Sequence, residues 1–238
     1  AIDTPEQMVA SILSKKIAAG STHLVLDIPV GPTAKIRDRR SALRLKKLFE
    51  HVAGRLALSI EVVLTDTVQP IGFGVGPALE ARDVRAVLEG RAEAPRDLTE
   101  KAIMLAGRVL ETDPSLTGGQ GERRARELLT SGAAARKMDE IAEAQGPSPK
   151  SAVIGGMVHE VCASTSGQIA EIDCLRIARI ARLAGAPTDP GAGVDLLQKA
   201  GQSVAAGDPL FRIHGAEASD FRFACEAASE DAGYRIVG

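Results

Sequence analysis

Two apolar runs flanking an amphipathic helix constrain this chain more than any other feature. HLVLDIPV (23–30) and SIEVVLT (59–65) are short, rich in Val, Ile and Leu, and bounded by turn-forming residues. Between them Leu45, Leu48, Phe49, Val52 and Leu56 recur at i, i+3, i+4, i+7 and i+11, which predicts a helix over about 39–57. Strand, helix, strand is the order of a parallel α/β unit. A loop containing Pro70, Gly72, Gly74 and Gly76 then leads into a further helix over about 77–89. Upstream, Thr4 as cap, Pro5 in the first turn and Gln7 as the capping-box partner predict a helix that Gly20 stops.

From 97 to 145 the pattern is helical with two breaks, giving helices at 97–111, 121–131 and 133–144. The turn-rich GPSPK (146–150) reads as a domain limit. Beyond it the texture changes. SAVIGGMVHEVCA and GQIAEID read as short strands, and 174–185 as a helix. Residues 193–215 read as strand, turn and strand, with the turn at Ala206–Pro209. Residues 221–229 are mixed, and GYRIV is a last strand. The expected architecture is a partial α/β domain, a mostly parallel sheet with helices, followed by a small α+β domain.

Composition narrows the function classes. With 29 basic and 31 acidic residues, the net charge of -2 gives no electrostatic case for wrapping nucleic acid or an anionic membrane. One Tyr and no Trp leave no base-stacking platform. Cys162, Cys174 and Cys225 are odd in number and widely spaced, which suits a reducing compartment and no zinc pattern. No apolar run approaches the roughly 18 residues of a membrane span. The opening AIDTPEQMVA lacks the features of a signal peptide and also lacks an initiating Met. The chain is therefore expected to be processed, or cut from a longer protein.

Several residues are candidates for chemistry, each beside a plainer reading. Ser11 and Lys15 at i, i+4 share one helix face, so a polar ligand there would meet a hydroxyl and an ammonium together. The plainer reading is a solvated helix edge. Asp3 precedes the cap, where helix amides favour the charged carboxylate, an anchor rather than a proton donor. Thr33 and Lys35 follow the first strand, at the end where open α/β sheets bind ligands, and they suit a phosphate or sugar hydroxyls. Asp66 and Gln69 stand at the second strand end and carry the same logic. The alternative for both loops is solvated polarity. GFGVG (72–76) lacks the spacing of a phosphate loop, and TGGQG (117–121) opens a helix as an anion site or as a connector. The four histidines are scattered without metal-ligand spacing, and no serine sits in a nucleophile elbow.

The blocks ASILSKKIAAGSTHLVLDIPVG (10–31) and TDTVQPIGFGVGPALEARDV (65–84) go further. They resemble the nucleoside phosphorylase family that includes thymidine, pyrimidine-nucleoside and AMP phosphorylases. The resemblance implies that 1–20 is the last helix of a small base-binding helical domain. It makes 21–146 the C-terminal part of the α/β phosphorylase domain with a helical linker, and 147–238 a C-terminal α+β domain. The family's phosphate loop falls earlier than this sequence. By resemblance Ser11 and Lys15 hydrogen-bond the base, and Asp3 is the proton donor of the AMP branch. Thr33-Ala-Lys35 matches that branch too, with Lys35 touching the nucleotide. The implied activity is reversible phosphorolysis of a nucleoside, or of a nucleoside 5′-monophosphate, to free base and pentose 1-phosphate. It implies inorganic phosphate as co-substrate, no metal or organic cofactor, a cytoplasmic enzyme and a homodimer at full length. Two other readings stand beside it. One is a catalytically incompetent fragment that acts in binding or assembly. The other is a carrier module, since GQSVAAGDPLFRIHG (201–215) resembles biotinyl and lipoyl hairpins, a likeness read here as a barrel-sandwich shape for the C-terminal domain. Lys199 lacks the flanking residues of a modified lysine.

Overall fold

The computed structural model describes residues 4–116, 118–146 and 153–238. They form two compact units. The first comprises the residues up to Thr67 with Lys101–Arg126, and the second Val68–Glu100 with Glu127–Gly238.

In the first unit, helix α1 (Pro5–Ala18) precedes β1 (His23–Val30), α2 (Arg39–Arg55) and β2 (Ser59–Asp66). β1 and β2 pair in parallel, in register from His23↔Ser59 to Val30↔Asp66. The helical capping signals act as expected. Thr4 and Gln7 close a reciprocal capping box on α1, and the Ser41 amide donates to the Asp38 carboxylate at 2.8 Å ahead of α2. α2 ends two residues earlier than its periodicity suggests, because Ala57 adopts φ 52° and turns the chain into β2. The core gathers Val9 and Leu13 from α1, Ile28 and Val30 from β1, Leu45 and Phe49 from α2, and Val62 from β2.

The second unit begins with β3 (Gly74–Val75) and α3 (Pro77–Leu88). Helices α4 (Arg96–Leu110) and α5 (Gln120–Thr130) each have residues in both units, and α6 (Ala133–Gln145) follows. Next come β4 (Met157–Cys162), β5 (Gly167–Ile172), α7 (Cys174–Leu183), β6 (Gly193–Leu196), β7 (Ser203–Val204), β8 (Pro209–Gly215), α8 (Ala218–Glu230) and β9 (Tyr234–Val237). Two antiparallel sheets result, in the orders β3-β6-β8-β4 and β7-β5-β9. Ile169, Ile172, Ile177, Ile180, Phe211 and Ile213 are fully buried in their shared core. The Tyr234 ring stacks on Phe211 with centroids 5.8 Å apart, and its hydroxyl donates to Gln198 O at 3.0 Å.

Mixed α/β structure is present, and the β1–β2 sheet of the α/β part is parallel as expected, while the sheets of the second unit are antiparallel. Among the described residues, parallel ladder pairing between named strands is confined to β1 and β2, and no sheet closes into a barrel. Residues 193–215 hold three strands rather than a hairpin. β6 pairs β8 within one sheet while β7 joins β5 in the other, so the turn at 206–209 links two sheets. Residues 221–229 are helical, because Phe221, Ala224 and Ala228 form an apolar stripe at i, i+3 and i+7 against the core. Strand β3 hides inside the glycine loop. The limit expected at 146–150 lies, apart from Gly146, outside the described residues. None of the described helices is long and apolar enough to cross a membrane.

Candidate functional site

The carboxyl ends of β1 and β2 are tied together by backbone. Thr67 N donates to Val30 O at 2.8 Å, Gly31 N to Ile36 O at 3.1 Å, and Ala34 N to Gly31 O at 3.1 Å. Position 31 admits only glycine, since a Cβ there would lie 1.9 Å from Thr67 O. The loop 31–36 is thus a fixed platform. It holds Thr33 half-buried and Lys35 exposed at the sheet end where α/β folds bind ligands. Asp66 is exposed at the neighbouring strand end. Gln69 is committed elsewhere, accepting from Ala200 N at 2.8 Å.

α1 buries Val9 and Leu13 and leaves Ser11 and Lys15 exposed one turn apart. Ile36 of the platform and Pro5 and Met8 of α1 line one cavity, so the strand-end loop and the first turns of α1 are neighbours. The structure therefore places Ser11 and Lys15 on a helix beside the loop that carries Thr33 and Lys35. Asp3 lies outside the described residues.

A polar trio went unread in the sequence. Asp27 on β1 accepts from Thr65 Oγ1 of β2 at 2.7 Å, Lys101 of α4 donates to Thr65 Oγ1 at 3.1 Å, and Lys101 forms an ion pair with Asp27. All three side chains are half-buried. They tie α4 to the parallel pair near its carboxyl end. The signal available was a lone Asp in an apolar strand.

Both glycine-rich stretches hold an anion of the chain itself. In the second unit the amides of Phe73 and Gly74 donate to Asp83 Oδ2 at 2.6 and 2.7 Å. Asp83 is 3% exposed and its other oxygen faces Arg82, which also grips Asp195 through two bonds of 2.7 Å. These bonds, the Asp195 bond above all, raise the Arg82 pKa and keep it cationic. In the first unit the amides of Gly119 and Gly121 both donate to Glu111 Oε1, at 2.8 and 3.2 Å. The donors that would cradle a phosphate are occupied at both places.

Lys199 is likewise engaged. Its ammonium donates to Pro70 O and Gly72 O at 2.6 Å each and pairs with Asp97 Oδ2 at 2.9 Å, an ion pair without hydrogen-bond alignment. An ammonium held this way is no swinging arm. Among the described residues no group of three His, Cys, Asp or Glu is arranged to hold a metal.

Comparison with known proteins agrees with these blocks. Residues 168–235 match the family described as the pyrimidine nucleoside phosphorylase C-terminal domain. A protein of Rhodopseudomonas palustris named "Putative thymidine phosphorylase" is 54% identical over 235 residues, 99% of this chain and 46% of its own length. Proteins of Albidiferax ferrireducens and Methylococcus capsulatus with the same name are 54% and 53% identical, each over 99% of this chain and 46% of their length. The chain spans about half the length of the curated relatives it matches.

Proposed function

Because the chain belongs to the thymidine and pyrimidine-nucleoside phosphorylase family, we propose that it is the C-terminal part of a pentosyltransferase. The complete enzyme cleaves a nucleoside, or a nucleoside 5′-monophosphate, by reversible phosphorolysis. The observation that carries this reading is the near-complete coverage of the chain at 54% identity by a protein named "Putative thymidine phosphorylase".

In the proposed reaction a phosphate oxygen bonds to the anomeric carbon as the glycosidic bond breaks. The bonding pair leaves with the base, and a pentose 1-phosphate remains, or a pentose 1,5-bisphosphate where the substrate carries a 5′-phosphate. Ser11 and Lys15 donate hydrogen bonds that strengthen as negative charge builds on the base. Asp3 delivers the proton that neutralises it. Thr33 and Lys35 hold the sugar side of the substrate. Lys35 favours a second reading within the same chemistry. A cation on a rigid strand-end loop suits a 5′-phosphate, hence AMP or another nucleotide. No metal or organic cofactor enters, and the working form is a cytoplasmic homodimer.

The test is phosphate-dependent base release by the longest native polypeptide containing this chain, with thymidine, uridine, AMP and CMP side by side. Release from at least one substrate, strictly dependent on phosphate, is expected. Absence of release from all four would overturn the reading.

A further inference from the structure

The stretch from Lys35 to Lys47 holds seven cations against one carboxylate, Asp38, in a chain whose net charge is -2. Asp38 is committed to capping α2: it accepts from Ser41 N and Ser41 Oγ at 2.8 Å each, and the Ser41 amide above all lowers its pKa. Lys46 donates to Val62 O at 2.8 Å and lies 3.7 Å from Glu50. Among the described residues Arg37, Arg39, Arg40, Arg44 and Lys47 have no carboxylate within ion-pair distance, and all five are exposed. Arg40, Arg44, Lys47 and His51 recur at i, i+4, i+7 and i+11, one basic stripe running about 16 Å along α2. The first turn of α2 carries no acidic residue, so Arg39 and Arg40 oppose the helix dipole. A helix that keeps cations where they weaken it points to an anionic partner.

A cavity of about 480 Å³ opens beside the stripe, between α2 and the first turns of α1. Its walls are apolar, from Met8, Ile36, Leu45 and Leu48, and Ser41 and Arg44 supply its polar rim. Among the described residues, Glu6 is the one acidic residue against it. None of Ser11, Lys15, Thr33 and Lys35 lines it. An apolar slot with a few polar groups suits a heterocycle and its sugar. Guanidinium forks spaced along one helix face suit linked phosphates. A nucleic-acid strand fits less well, since Phe49 of α2 is buried and the stripe exposes a single ring, His51, too little for successive bases to stack on.

We propose that this face of the first unit binds a nucleoside polyphosphate, with base and sugar in the cavity and phosphates along Arg40, Arg44 and Lys47. The inference does not rest on the phosphorolysis reading, and its test contains no phosphorolysis step. The experiment is calorimetric titration of the 238-residue chain with AMP, ADP, ATP and inorganic tripolyphosphate at low and moderate salt. Affinity is expected to rise from AMP through ADP to ATP, to weaken with salt, and to be about tenfold tighter for ATP than for tripolyphosphate. The triple variant Arg40→Gln/Arg44→Gln/Lys47→Gln is expected to lose ATP binding about tenfold with its melting temperature kept, since all three side chains are exposed. Equal affinity for AMP and ATP, tripolyphosphate binding as tightly as ATP, or an unaffected triple variant would each overturn the proposal. So would an oligoribonucleotide that binds more tightly than ATP and is not displaced by it.

Discussion

Asp83→Ala is the perturbation whose outcome follows most directly from the geometry. The carboxylate is 3% exposed and satisfies two backbone amides, Phe73 N at 2.6 Å and Gly74 N at 2.7 Å. Its other oxygen accepts from Arg82 Nη2 at 2.8 Å and Nε at 3.1 Å. Alanine leaves two enclosed amides without an acceptor, at about 1–3 kcal/mol each. Arg82 keeps its two 2.7 Å bonds to Asp195, so its charge is not abandoned and the larger cost of an orphaned buried ion is avoided. The expected loss is about 3–5 kcal/mol, a large share of a typical domain's stability of about 5–15 kcal/mol. Asp83→Asn retains an acceptor for the amides but turns an NH₂ toward the guanidinium, and is expected to cost about 1–2 kcal/mol. Urea unfolding followed by tyrosine fluorescence is the assay. Tyr234 is the one tyrosine, the chain has no tryptophan, and Tyr234 belongs to the second unit with Asp83, so the signal reports that unit. A loss below about 1 kcal/mol for Asp83→Ala would refute the view that this carboxylate holds the glycine loop.

Burial pushes the Tyr234 hydroxyl pKa up. The stability this contributes is present below the ordinary phenol pKa of about 10 and is lost as pH rises through the folded value. Tyrosinate absorbance should therefore appear above pH 10 together with unfolding, and titration at the ordinary value with the fold intact would contradict it. In the complete enzyme Lys15→Ala is expected to cut turnover by about two orders of magnitude or more, with an unchanged rate removing Lys15 from the site. Lys35→Ala should raise KM for AMP far more than for thymidine, and an equal effect on both would undo the 5′-phosphate assignment. Asp3→Asn should remove the acid-dependent limb of the pH–rate profile, and a retained limb would give the proton to another group.

Much of the first unit was readable in advance because its signals are local. The stripe from Leu45 to Val52, the Thr4–Gln7 cap and the two apolar runs each depend on a few neighbouring residues. α8 was not readable in the same way, since FRFAC mixes aromatic and small residues and its apolar stripe shows only against α7, β8 and β4. The glycine loops illustrate a second limit. Their composition announces exposed amides, but Asp83 and Glu111 lie nine or more residues from most of the amides they bind, and only the fold names the anion. The Asp27–Thr65–Lys101 trio is farther still from any local pattern, with members 36 and 38 residues apart. The positions of Ser11, Lys15, Thr33 and Lys35 follow from helix spacing and strand ends. Their chemical roles come from family likeness rather than from spacing.

The sequence-discontinuous make-up of the second unit has a practical consequence for anyone dissecting this protein. A fragment starting near residue 153 would carry six of the nine strands found among the described residues. It would lose β3, and with it the hydrogen-bonded neighbour of β6, leaving a raw sheet edge open to association with other chains. It would also strip Lys199 of Pro70, Gly72 and Asp97, and leave Asp195 without Arg82. Such a fragment should be sticky and short-lived in solution. Co-expression with a separate 68–100 segment should rescue it, as two pieces of one split protein.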